Sequence, residues 1–177
     1  DGFGDMVIPD ENLLAVLAPR TATPPTGTDL DEVRRALAEP IASPGLKDMV
    51  KRGDSALLLI DDNTRNTPAA RILPLVLEEL AAGGVQIQDT AILIALGRHR
   101  HMTDAEVEAK VGAELAGRIR IFQHDAHDES GLAHIGVTEH GTDVWVNKLL
   151  LEFDHVIAVG HITPHRVAGF SGGAKMV

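Results

Sequence analysis

Three apolar runs set the frame of the chain: Ser55-Ala56-Leu57-Leu58-Leu59-Ile60, Thr90-Ala91-Ile92-Leu93-Ile94-Ala95-Leu96 and His155-Val156-Ile157-Ala158-Val159-Gly160. Each is short and unbroken by polar alternation, the pattern of a strand covered on both faces. After the first run, Ile72, Leu75, Val76 and Leu80 recur at helical spacing, predicting a helix from about Pro68 to Ala82 that Gly83-Gly84 stops. After the second, Thr103 caps a helix over Asp104 to Val111, and Glu106 completes a capping box. Earlier, acidic residues open a helix at Asp29 that Pro40 closes, and Ser43 caps another, with Pro44 in its first turn and Gly53 at its end. Asp5 to Pro9 and Asn12 to Ala18 are expected to pair as short strands, with Arg20 to Thr28 as a loop. Strands near Ile119 to Gln123, His134 to Thr138 and Asp143 to Val146 precede a short helix and the final strand. The repeated order of strand, polar loop and helix gives an α/β class with a mostly parallel sheet and flanking helices.

In such sheets ligands bind beyond the carboxyl ends of the strands. Polar clusters follow all three apolar runs and are expected to converge there: Asp61 to Thr67, Gly97 to His101, and His161 to Lys175. In the last, Gly169, Gly172 and Gly173 allow positive φ and close backbone approach, while Lys175 adds a point charge suited to phosphate or carboxylate. Arg65 can grip such an anion bidentately, or pair with Asp61 or Asp62 in its own loop. His99 and His165 sit at different strand ends and titrate near neutrality, so they can exchange protons with one substrate from two sides. The run His124-Asp125-Ala126-His127-Asp128-Glu129 matches no closed zinc spacing and reads as a solvated turn, so no metal ligand is assigned. Trp145 reads as core or near-core.

The chain has 177 residues, enough for one ordinary domain, with 44% apolar, 24% charged and 3% aromatic residues. A net charge of -10 argues against a nucleic-acid footprint, so any anion site must be a local island of donors. The absence of cysteine removes disulfides, thiolate metal sites and a cysteine nucleophile, and fits a cytoplasmic protein. No run reaches the length of a membrane span. The start at Asp1 and the stop at Val177, where a helix is expected to begin, suggest a piece of a longer protein.

Together, Asp62-Asn63-Thr64-Arg65, Gly97-Arg98-His99-Arg100 and His165-Arg166-Val167-Ala168-Gly169-Phe170-Ser171-Gly172-Gly173-Ala174-Lys175 resemble the lactate racemase family that uses the nickel-pincer nucleotide. The resemblance covers nearly the whole chain. It implies a Rossmann-like N-terminal domain over residues 1–177, incomplete at its C-terminal end, of a two-domain racemase whose second domain is absent here. It further implies covalent attachment of the nickel-containing pyridinium cofactor at Lys175, with Ser171, Gly172, Gly173, Asp62 and Arg65 lining its site. His99 and His165 correspond to the two catalytic histidines, one for each enantiomer. The family's nickel-ligand histidine is expected beyond Val177, and the fragment alone is expected to be inactive. Asn63 and Asn66 stand where the lactate enzymes carry His and Pro, which leaves other 2-hydroxy acids open as substrates.

A second class of function fits the same residues: a non-catalytic α/β module that binds an anionic nucleotide or carboxylate. A nicotinamide-dependent dehydrogenase is disfavoured, because no G-x-G-x-x-G follows an early strand. The expected partners are a small 2-hydroxy acid and the rest of the same polypeptide, with no nucleic acid and no membrane.

Overall fold

The computed structural model describes residues 7–16 and 27–177. In chain order the elements are α1 (Asp29–Ala38), α2 (Leu46–Met49), β1 (Ala56–Asp61), α3 (Ala69–Ala82), β2 (Thr90–Ala95), α4 (Asp104–Val111), α5 (Ala113–Ala116) and β3 (Arg120–Gln123). Then come β4 (Leu132–Val137), β5 (Asp143–Asn147), β6 (His155–Val159), β7 (Pro164–His165) and β8 (Gly169–Phe170). Strands β3, β2, β1 and β6 lie side by side in that order, every neighbouring pair parallel.

β1 is buried along its whole length. On one face, its Leu58 and Ile60 join Ile92 and Ile94 of β2 and Leu73, Val76 and Leu80 of α3 in one core. On the other, Leu57, Leu59, Ala91 and Leu93 meet Phe122, Leu149, Leu150, Phe153 and Met176. A strand packed on both faces has no reason to alternate, which is why its sequence is a continuous apolar run.

From β1 the chain steps outward to β2 and β3, then returns to lay β6 against the other side of β1. That reversal opens a crevice between the carboxyl ends of β1 and β6, where ligands of such sheets bind.

The expected elements recur within a residue or two, with four corrections. The second helix spans only Leu46–Met49, with Gly45 rather than Ser43 at its N-cap. Ser43 spends its hydroxyl on the carbonyl of Pro44, and Val50 turns extended to enter the core. β4 and β5 form a separate antiparallel hairpin instead of joining the parallel sheet. Trp145, expected in or near the core, is 58% exposed on that hairpin. Residues 7–9 and 12–16 of the expected early strands form no strand, while residues 5, 6, 17, 18 and 20–26 lie outside the described residues. Among the described residues no helix is long and apolar enough to cross a membrane.

Leu58 is fully buried between the sheet and α3. Leu58→Ala is expected to cost about 2–5 kcal/mol through the cavity it leaves. Urea unfolding should show this as a lower midpoint at unchanged slope.

Candidate active site at the carboxyl edge of the sheet

A cavity of about 370 Å³ opens at the carboxyl ends of the parallel strands. The three polar clusters do converge on it: Asp61 ends β1 and Asp62 and Arg65 follow it, Gly97, Arg98 and His99 follow β2, and His161, His165, Ser171, Gly172 and Lys175 follow β6. Gly173 is not among its lining residues.

The loop after β1 is held by its own acids. Asp62 Oδ1 accepts the Thr64 N–H at 3.1 Å and the Thr64 hydroxyl at 2.6 Å, closing a local turn. Its other oxygen meets Nδ1 of His99 at 2.5 Å. Burial pushes the Asp62 carboxyl up, but the hydrogen bonds from Thr64 and His99 outweigh it and hold the group below the usual carboxylate range. An ionised carboxylate can only accept, so His99 must donate from Nδ1, and the neutral ring then keeps its lone pair on Nε2. With its side chain 54% exposed, that ring is placed to take a proton from a ligand in the cleft. Asp62, expected to line a cofactor site, does line the cleft and also orients the His99 ring.

Asp61 faces the other way. It accepts from the Thr67 hydroxyl and pairs with Lys110 of α4 at 2.7 Å. The buried Lys110 also donates to the carbonyls of Arg65 at 3.0 Å and Thr67 at 3.3 Å. This fixes the backbone from which Arg65 projects. Neither acid pairs with Arg65, whose guanidinium touches only Thr64. With Asp61 and Asp62 engaged elsewhere, Arg65, Arg98 and Lys175 give the cleft the local positive charge expected of an anion site.

The segment after β6 folds back on itself. β7 pairs with β8, and Gly169 turns the tip at φ +78°. The Ser171 hydroxyl donates to the His161 carbonyl at 2.6 Å and accepts the Thr163 N–H at 2.9 Å. Ser171 lines the cleft as expected, with its hydroxyl engaged as an internal brace. Gly172 takes φ +69°, and a Cβ there would stand 3.0 Å from the His161 carbonyl oxygen, so only glycine fits without a shift. Residues 173–176 form a single 3-10 turn; Met176 packs into the second core and leaves Lys175 exposed beside the cleft.

His165 differs from His99. Its Nδ1 accepts the backbone N–H groups of Val167 at 3.2 Å and Ala168 at 3.1 Å. The neutral ring therefore carries its hydrogen on Nε2. One histidine presents a lone pair at Nε2 and the other an N–H.

Among the cleft residues given no site role are Arg98, His124, Trp145 and Asn147. His124 follows β3, where its N–H bonds the Ile94 carbonyl at 3.1 Å, so it sits at the same edge as the other clusters. The carboxyl-end rule applied to β3 would have found it. Asn147 donates to its Nδ1 at 3.2 Å, and burial lowers its pKa against the opposing pull of Asp125. Trp145, its ring 5.0 Å from that of His134, comes from the hairpin, whose position no local pattern reveals.

The profile of the lactate racemase N-terminal domain family matches residues 2–177. The lactate racemase of Thermoanaerobacterium thermosaccharolyticum is 33% identical over 171 residues, 96% of this chain and 40% of that protein. That of Lactiplantibacillus plantarum is 32% identical over 171 residues with the same coverage, 96% and 40%. The chain thus spans about 40% of the length of the curated relatives it matches. The structure of the T. thermosaccharolyticum lactate racemase apoprotein superposes with a TM-score of 0.74 at 36% identity, over 81% of this chain and 34% of that one. A crystal structure of a Thermotoga maritima protein gives a TM-score of 0.60 at 26% identity, over 75% and 35%.

The lowered pKa of Asp62 makes a prediction about stability. Its contribution is complete above the unfolded value, about pH 4, and is lost as pH falls through the depressed folded value. In denaturation series, the advantage of the wild type over Asp62→Asn should be present at about pH 5 and shrink as the pH falls below about 4.

Proposed function

The chain belongs to the lactate racemase N-terminal domain family, and from that premise we propose that it supplies part of the active site of a 2-hydroxy-acid racemase or epimerase using a nickel-pincer nucleotide tethered at Lys175. The observation that carries this reading is the Asp62–His99 pair, in a cleft that Lys175 also lines. A module that merely bound an anion would need the cations but no imidazole steadied by a carboxylate.

The residues suit the proposed group. Lys175 offers an exposed amine, Gly172 allows close approach, and Arg98 adds charge for a phosphate. Among the described residues no three His, Cys, Asp or Glu cluster as a metal site. When bound, the nucleotide would supply a hydride acceptor and donor.

Arg65 grips the substrate carboxylate. His99 takes the hydroxyl proton at Nε2 as the C2 hydride departs, and Asp62 stabilises the resulting imidazolium. A planar 2-oxo acid remains. Return of the hydride to the opposite face would invert the centre, with the oxygen taking its proton from Nε2 of His165 in its imidazolium form, which ends as the neutral ring with hydrogen on Nδ1 and a lone pair on Nε2. Both that donation and the reverse acceptance need hydrogen on Nδ1, so the N–H groups of Val167 and Ala168 must first release it. Asn63 and Asn66 do not line the cleft.

The remainder of the polypeptide would close the cleft in the cytoplasmic enzyme, and residues 1–177 alone would be inactive. The greater length of the relatives supports this division. In the cofactor-loaded full-length protein, His99→Ala and His165→Ala should each slow racemisation by about 10²–10⁴-fold. Chiral analysis of lactate and longer 2-hydroxy acids reads the effect, and full activity in either variant removes that histidine from the mechanism.

A further inference from the structure

Glu106 sits in the first turn of α4 and closes the capping box with Thr103, accepting the Thr103 N–H at 2.8 Å. A capping glutamate needs no further partner. This one has two. Its Oε1 accepts the side-chain amide of Asn63 at 2.9 Å, and its two oxygens accept both terminal nitrogens of Arg100, at 2.7 and 2.8 Å. Asn63 follows Asp62 in the chain, and Arg100 follows His99. One carboxylate therefore grips the residue next to each member of the Asp62–His99 pair, although the two loops come from different strands.

We propose that Glu106 is a positioning residue that clamps the loops after β1 and β2 together and so holds Asp62 against His99. The proposal rests on the reading of that pair as the proton-transferring unit. The exposed Arg100–Glu106 ion pair adds little to stability on its own, so its geometry is where its effect lies. Bidentate binding fixes direction as well as distance. The hydrogen bonds from Arg100 first, then from Thr103, hold the Glu106 carboxyl down to about 2, so the clamp stays charged at any pH where His99 can exchange protons. One turn further along α4, Lys110 holds the carbonyls of Arg65 and Thr67. Helix and loop are thereby joined at two points.

The test uses the full-length protein without cofactor, labelled with nitrogen-15 histidine. The Nδ1 proton that His99 donates to Asp62 is followed by NMR, assigned by its absence in His99→Gln. Glu106→Gln keeps a residue able to close the capping box, so the helix is retained, but it loses the charge that Arg100 requires. Losing a charge-assisted hydrogen bond of this kind should speed exchange of the Nδ1 proton roughly tenfold or more. Glu106→Ala should do at least as much, and the thermal midpoint of the Gln variant should stay within about 4 °C of the wild type. Wild-type exchange in both Glu106 variants, with the proton lost in Asp62→Asn, overturns the clamp and leaves the pair standing. A proton unaffected in Asp62→Asn overturns the pair itself, and the clamp with it.

Discussion

The whole site depends on a carboxylate just past the end of β1, a strand buried on both faces along its whole length. β1 cannot move without disturbing two cores, so the residues just past its end are as well placed as any in the chain. Asp61 and Asp62 stand there and divide their work. Asp61 turns to Lys110 and Thr67 and ties the loop to α4. Asp62 turns to Thr64 and His99 and carries the rigidity of the strand to an imidazole on the neighbouring loop. Replacing a buried pair such as Asp61–Lys110 with packed apolar groups often costs no stability. The hydrogen bonds from Lys110 to the Arg65 and Thr67 carbonyls and from Thr67 to Asp61 instead account for how the seven-residue loop 62–68 keeps one shape.

The same division explains the electrostatics. A chain with a formal charge of -10 still opens a cationic cleft, because the acids nearest to it are already engaged. Arg65, Arg98 and Lys175 are left facing the space. An anionic ligand meets a local field opposite to that of the molecule as a whole.

Much of this was legible in the sequence, for physical reasons that differ from element to element. The runs at β1 and β2 announced themselves because a doubly covered strand has only apolar positions. The box at Thr103 and Glu106 was legible because it is local. Convergence of the three clusters followed from topology alone. The direction of each side chain did not: Asp62 facing His99, Ser171 bracing its own loop and Asn63 turned to Glu106 are contacts between residues up to 43 positions apart or saturations of one hydroxyl. Trp145 was misplaced because an antiparallel hairpin outside the main sheet can set a large apolar ring against the cleft instead of the core.

The account stands or falls on what the exposed amine beside the cleft holds. The most direct measurement is the intact mass of the full-length protein made alongside the enzymes that build the cofactor, compared with its Lys175→Ala variant. An increment of nucleotide size on the wild type and none on the variant is the predicted result. An equal increment on both, or none on the wild type, would contradict it.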